Sequence, residues 1–123
     1  MISRNFLTTH IAGFAYYDGI DVFDSLKIGT RLSLKAEPEN PKDCNAVAIF
    51  FDDTMLGYIP ASKNELLSLF LRLGHTNLFE VRINQVDPVA YSERQIGIVV
   101  RIVNVSNLPN KGVEYDTKQT DFR

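Results

Sequence analysis

Residues 31–59 read RLSLKAEPENPKDCNAVAIFFDDTMLGYI, and the spacing of their apolar side chains decides the fold. In Arg31–Ala36, Leu32, Leu34 and Ala36 fall on one face and Arg31, Ser33 and Lys35 on the other. Strict alternation of this kind predicts a strand with one solvated side. Ala46–Phe51 is apolar on both faces and is expected near the centre of the core. A short polar break, Asp52-Asp53-Thr54, separates it from the apolar run Met55–Ile59, so Ala46–Ile59 reads as a tight hairpin. Outward from this segment, runs rich in β-branched and aromatic residues predict further strands at Phe6–Ala12, Phe79–Val86 and Gln95–Val103. Ile96–Val100 is again apolar on both faces. The chain is expected to be mostly β, an antiparallel arrangement of about six strands.

One helix interrupts the strands. Ser62-Lys63-Asn64-Glu65 has the pattern of a capping box, Pro60 marks the entry, and Gly74 supplies a left-handed stop. The amphipathic helix is therefore predicted over Lys63–Leu73, with the stripe Leu66, Leu69, Phe70 and Leu73 facing the core. Two polar connections, Gly13–Gly29 and Glu37–Asn45, are where a β scaffold places binding chemistry. The polar tail over 105–123 either adds an edge strand or stays disordered.

The 123 residues, 45% of them hydrophobic, suffice for one core and one domain over residues 1–104. Thirteen basic against fifteen acidic side chains give a formal charge of −2, which lacks the positive field that long-range duplex binding relies on. Any nucleic-acid partner has to be held locally. The single cysteine, Cys44, excludes an internal disulfide and, with His10 and His75 alone for company, a cysteine-rich zinc site. No apolar stretch approaches the roughly 20 residues of a spanning helix, and no export signal precedes the first strand, so a cytoplasmic protein is expected.

Three weak catalytic signals are set aside. Cys44 beside Asp43 needs a histidine base brought to it by the fold, and a buried or half-buried thiol is the preferred reading. Asp18, Asp21 and Asp24 lack the oxygen spacing of a calcium loop, and no metal or other cofactor is expected. No glycine-rich phosphate loop precedes a helix, so ATP chemistry would belong to another chain.

The order of motifs is more specific than any one of them: Gly13-Phe14-Ala15-Tyr16-Tyr17-Asp18-Gly19, then Asn40-Pro41-Lys42-Asp43-Cys44-Asn45-Ala46-Val47, then Gly57-Tyr58-Ile59-Pro60 and the leucine-rich helix. This set, over roughly residues 6–103, resembles the HIRAN domain, found both alone in bacteria and at the head of helicase-like repair proteins. The resemblance implies an OB-like β-barrel whose groove takes single-stranded DNA and reads a free 3′ end. It places Tyr16 where a base stacks, with Tyr17 beside it packing inward. A carboxylate at Asp43 would be repelled by phosphodiesters unless it accepts the proton of a terminal hydroxyl. Asn40 offers an amide, Lys42 and Lys63 offer positive charge, Tyr58 lines the wall, and the Lys63 amide falls in the first helical turn.

Four positions depart from the end-binding helicase members, which carry arginine at Ala15, tyrosine at Lys42, histidine at Tyr58 and lysine near Ala61. The phosphate-binding set is thinned accordingly. Asp43 and Asn45 equally suit a turn that caps its own backbone, Asn45 above all, and Tyr16 and Tyr17 equally suit the rim of a core. The expected function is recognition of single-stranded DNA in repair or processing, with a helicase or nuclease chain as partner. The alternative is a protein-interaction domain that kept the barrel and lost the DNA end.

Overall fold

The computed structural model describes residues 3–103; the tail discussed above lies outside them. Six strands follow one another as β1 (Ser3–His10), β2 (Arg31–Ala36), β3 (Val47–Phe51), β4 (Thr54–Tyr58), β5 (Phe79–Val86) and β6 (Ile96–Val103). They form an antiparallel sheet in the order β1-β6-β5-β2-β3-β4, with one helix, α1 (Glu65–Arg72), between β4 and β5. Both β2 and β5 match their predicted bounds, and the others differ by one to three residues at an end.

The two-sided apolar runs do form the core. Val47, Ala48 and Ile49 on β3 and Ile98 and Val100 on β6 are fully buried. One-sided β2 buries Leu32 and exposes Arg31, Ser33 and Lys35. Phe51 pairs with Thr54 across Asp52 and Asp53, and Asp52 adopts the left-handed backbone (φ 50°) that a hairpin turn this short demands.

The expected closed barrel is not what the strands make. The ladder between β1 and β6 ends at His10 and Gly97, and the chain then turns at Gly13 (φ 73°) into a short 3₁₀ turn, Phe14–Tyr16. The strand that would have zipped β1 onto β4 is therefore missing. Only Ala12 reaches across, exchanging two backbone bonds with Tyr58 (2.8 and 2.9 Å). That contact needs Gly57, whose φ of 150° is hostile to a side chain. A Cβ there would collide with the Ala12 carbonyl oxygen and lie 2.6 Å from Ile11 Cγ2.

The helix also departs from expectation, in both its start and its face. Ser62 belongs to a 3₁₀ turn, Ala61–Lys63, so the capping box does not form and Asn64 precedes the first helical residue. The buried face is Asn64, Leu67, Ser68 and Leu71, while Leu66, Leu69 and Leu73 are 52%, 43% and 64% exposed. The buried set is spaced at i, i+3, i+4 and i+7, as is the predicted stripe, whose fourth member, Phe70, is half-buried. The buried one admits two polar residues because both are satisfied: Asn64 Nδ2 donates to Asp43 Oδ2 (2.9 Å) and Ser68 Oγ accepts from Arg72 Nε (3.1 Å). The predicted stop holds, since the amides of Gly74 and His75 return to the carbonyls of Leu71 and Phe70.

Two expected outcomes follow from this packing and are readable by urea denaturation. Leu67→Ala should cost about 2–5 kcal/mol, as for a buried leucine, and Leu69→Ala no more than about 1 kcal/mol; equal losses would refute the observed helix face. Gly57→Ala should cost about 2–3 kcal/mol through backbone strain and the lost Ala12–Tyr58 bridge, whereas an alanine tolerated there within about 0.5 kcal/mol would argue against that close approach.

Candidate functional site

Where the Ala12–Tyr58 bridge joins the two sheet edges, the Glu37–Asn45 loop and the approach to α1 wall off a pocket of about 310 Å³. Its lining comes from four places in sequence: Ala12 and Tyr17, then Asn40, Lys42, Asp43 and Ala46, then Tyr58, Ile59 and Ala61, then Asn64. Of the residues singled out from the sequence, it gathers Tyr17, Asn40, Lys42, Asp43 and Tyr58. Tyr16 stands outside this lining, 86% exposed. Lys63 lies in the neighbouring depression, where its Nζ is 3.5 Å from Thr9 Oγ1. Its amide is taken by the Pro60 carbonyl (2.9 Å) ahead of the helix, so the expected anion site in a first helical turn is absent.

The loop holds its own shape with the same polar groups. Asn40 Oδ1 accepts the amides of Lys42 (2.9 Å) and Asp43 (3.3 Å), and Asp43 Oδ1 accepts the Asn45 amide (2.8 Å). These are side-chain-to-backbone turns that replace a strand ladder. Two ties then pin the loop to the helix: Asn64 Nδ2 to Asp43 Oδ2, and Arg72 to Asn45 Oδ1 (3.3 Å). Asp43 thus fills a turn-forming role and lines the pocket at once. Each of its oxygens has one donor, which leaves lone-pair capacity for another.

Glu37 and Asn64 are the site residues that the sequence reading passed over. Glu37 Oε1 accepts both Tyr58 Oη (2.8 Å) and Asn40 Nδ2 (3.0 Å), fastening the loop to β4. Its signal was its place at the head of the Glu-Pro-Glu-Asn loop; Asn64 was hidden inside a supposed capping box. The Tyr58 ring meets Tyr17 edge-on, with centroids 5.7 Å apart. Burial, then the neighbouring Glu37, push the Tyr58 phenol well above the ordinary tyrosine value, so it remains a neutral donor.

Neither histidine nor the cysteine lines the pocket. Cys44 is exposed rather than buried, because the turn that points Asp43 inward leaves its neighbour outward. His10 is engaged with Gln85 (3.1 Å) and His75 packs on Phe70, and neither is hydrogen-bonded to Cys44. Among the described residues no group of three His, Cys, Asp or Glu side chains is placed to hold a metal. Asp18, Asp21 and Asp24 lie on an exposed 3₁₀ segment, Asp18–Ser25. No helix among the described residues is long and apolar enough to cross a membrane.

The comparisons agree with this architecture. The family described as HIRAN domain matches residues 5–103, and the chain belongs to that family, a DNA-binding module. No curated protein matches. A solved structure of a protein from Lactobacillus plantarum is similar, with a TM-score of 0.68 and 20% identity over 82% of this chain and 95% of that one. The HIRAN domain of human HLTF is similar with a TM-score of 0.56 and 18% identity, over 81% of this chain and 76% of that one. At such identities these likenesses speak for the fold alone.

The raised phenol makes the Tyr58–Glu37 bond measurable. Because the folded chain favours the protonated phenol, the stability this bond contributes is full below about pH 10, the unfolded tyrosine value, and is lost as pH rises through the higher folded value. Tyr58→Phe should therefore be less stable than the parent at neutral pH, with the difference shrinking above about pH 10. An ultraviolet phenolate titration should also lose its latest step in the variant; superimposable curves would count against the bond.

Proposed function

We propose that the chain is a nucleic-acid-binding module that takes the end of a single DNA strand into the Tyr17–Asp43–Tyr58 pocket, in DNA repair or processing, and performs no chemistry of its own. The observation that carries this reading is the Asp43 carboxylate, held at the pocket wall by the Asn45 amide and the Asn64 side chain, close to two aromatic rings. Phosphodiesters in the interior of a strand offer such a carboxylate only repulsion, whereas a terminal 3′-hydroxyl offers it a proton. Asn40 and Lys42 supply an amide and a cation at the same wall. The pocket volume sits at the lower end of the roughly 300–1,000 Å³ typical of ligand sites, which suits one terminal nucleoside better than a duplex. Tyr16, almost fully exposed one residue before the pocket, is a stacking platform that costs the fold nothing to present. ATP-driven or nucleolytic steps would come from a partner chain.

A second reading, recruitment of a protein, is favoured by the exposed leucines 66, 69 and 73 along α1. It predicts that a charge placed at Leu69 disturbs function while oligonucleotide binding is untouched.

Fluorescence anisotropy with short single strands ending in 3′-hydroxyl or 3′-phosphate tests the first reading. The hydroxyl end should bind more tightly, and Asp43→Ala should erase the preference. Tyr16→Ala should weaken both ends by about 1–3 kcal/mol without changing the melting temperature, because its ring is exposed. Equal binding of the two ends by the parent chain would overturn end recognition.

A further inference from the structure

We propose that the groove does not stop at the terminal pocket: a strand seated there continues over Ala12 into a second, phosphate-binding groove built on Lys63 and Arg94. This inference rests on the reading just given and extends it to the nucleotides that precede the end. The second depression, about 460 Å³, is lined among others by Thr9, Ala12, Ser62, Lys63, Glu93 and Arg94. It shares Ala12 with the terminal pocket, and Pro60 directly follows Ile59, which lines the first. The two depressions are therefore adjoining reaches of one surface.

Its cations arrive from separate elements. Lys63 comes from the Ala61–Lys63 turn and Arg94 from the Ser92–Arg94 turn, which packs against the Phe14–Tyr16 turn that carries Tyr16. Neither has a carboxylate partner: the ion pairs found among the described residues join Arg31 and Arg82 to Glu80. Lys63 has only the long contact to Thr9. Two uncommitted cations with the hydroxyls of Thr9 and Ser62 beside them match what a phosphodiester asks for, charge and hydrogen-bond donors without a base-specific edge. In a chain whose formal charge is −2, such a local pair is what can hold a polyanion. Glu93 is the one acid in the lining, and its carboxylate opposes the same phosphate.

A dinucleotide should fill the terminal pocket alone, and a strand of about eight nucleotides should fill both reaches. With matched 3′-hydroxyl ends, the parent chain should bind the longer strand at least tenfold more tightly. Arg94→Gln should cut that advantage several-fold and leave dinucleotide binding unchanged; Arg94→Gln with Lys63→Gln should abolish it. Each substitution should lower the salt slope by about 0.7, the value for one phosphate contact on a single strand. Glu93→Gln should tighten the longer strand several-fold, a gain that mere loosening of the fold does not produce. If both lengths bind alike and Arg94→Gln changes neither, the second groove is refuted while the end pocket stands. If neither length binds, the end pocket falls and the groove with it.

Discussion

Two backbone hydrogen bonds between Ala12 and Tyr58 set the geometry on which the rest of the site depends. The outer strands β1 and β4 stand at opposite edges of the sheet and share no ladder. The bridge fixes the Ala12 backbone against Tyr58, and the edge-on contact of Tyr17 with Tyr58 holds the following turn to the same strand. With the bridge, the opposite edges become facing walls, and Ala12 becomes the divide between two depressions. The bridge in turn exists because position 57 has no side chain: a Cβ would occupy the space of the Ala12 carbonyl. One glycine thus acts on packing, on sheet curvature and on the site together. A fully zipped barrel would have filled the same space with ladder and side chains; ending the ladder at His10 and turning the chain at Gly13 leaves it open.

The second constraint is polar and links the loop to the helix. The nine residues from Glu37 to Asn45 have no strand partner, so their backbone groups need acceptors and donors from elsewhere. Asn40 and Asp43 provide them locally, Glu37 reaches Tyr58, and Asn64 and Arg72 reach out from α1. A buried amide at Asn64, 3% exposed, is tolerable only because Asp43 answers it. The same pairing explains why the helix turns its Leu67 face inward rather than its Leu66 face. Rotating it by about 160°, the equivalent of a two-residue shift at about 100° per residue, would bury Leu66 and Leu69 but carry Asn64 away from Asp43. The inward face is the one that buries Leu67 and Leu71 and keeps both of its polar residues paired.

What was legible in the sequence follows this division. Strands β2, β3, β5 and β6 were readable because apolar alternation, or its absence, reports directly on which face is covered. The helix was readable as an element, and its Gly74 stop as a terminus, because both are local. Its face was not, because Asn64 and Ser68 read as polar and their satisfaction depends on Asp43 and Arg72, distant in sequence or hidden in rotamer choice. The open sheet was equally illegible: where β1 stops depends on Gly13 and on the Ala12 bridge, a contact between residues 46 positions apart. In the site, Asn40, Lys42 and Asp43 came as a contiguous motif and assembled as one wall. Glu37 required knowing where Tyr58 lies. Cys44 was misjudged because its exposure is set by the turn that faces its neighbour inward.

The positions where the chain departs from end-binding relatives gain meaning from this geometry. Ala61 lines the pocket, so a small apolar side chain stands where a lysine would bring charge. Tyr58 cannot become a cation, and its neutral phenol is committed to the Glu37 carboxylate, which brings a hydrogen-bonded acid rather than a base to that wall beside an aromatic edge. Ala15 removes a third charge from the turn that carries Tyr16. The terminal pocket is left with Lys42 as its one cation and with Asp43 opposing it. Under the proposed function, such a pocket would hold a nucleoside by ring contacts and hydrogen bonds more than by charge, with a weaker hold on a phosphate chain and a sharper demand for a hydroxyl. On the proposed reading, attraction for the polyanion has to be supplied beyond the pocket, on the far side of Ala12, where charge does not compete with the Asp43 carboxylate.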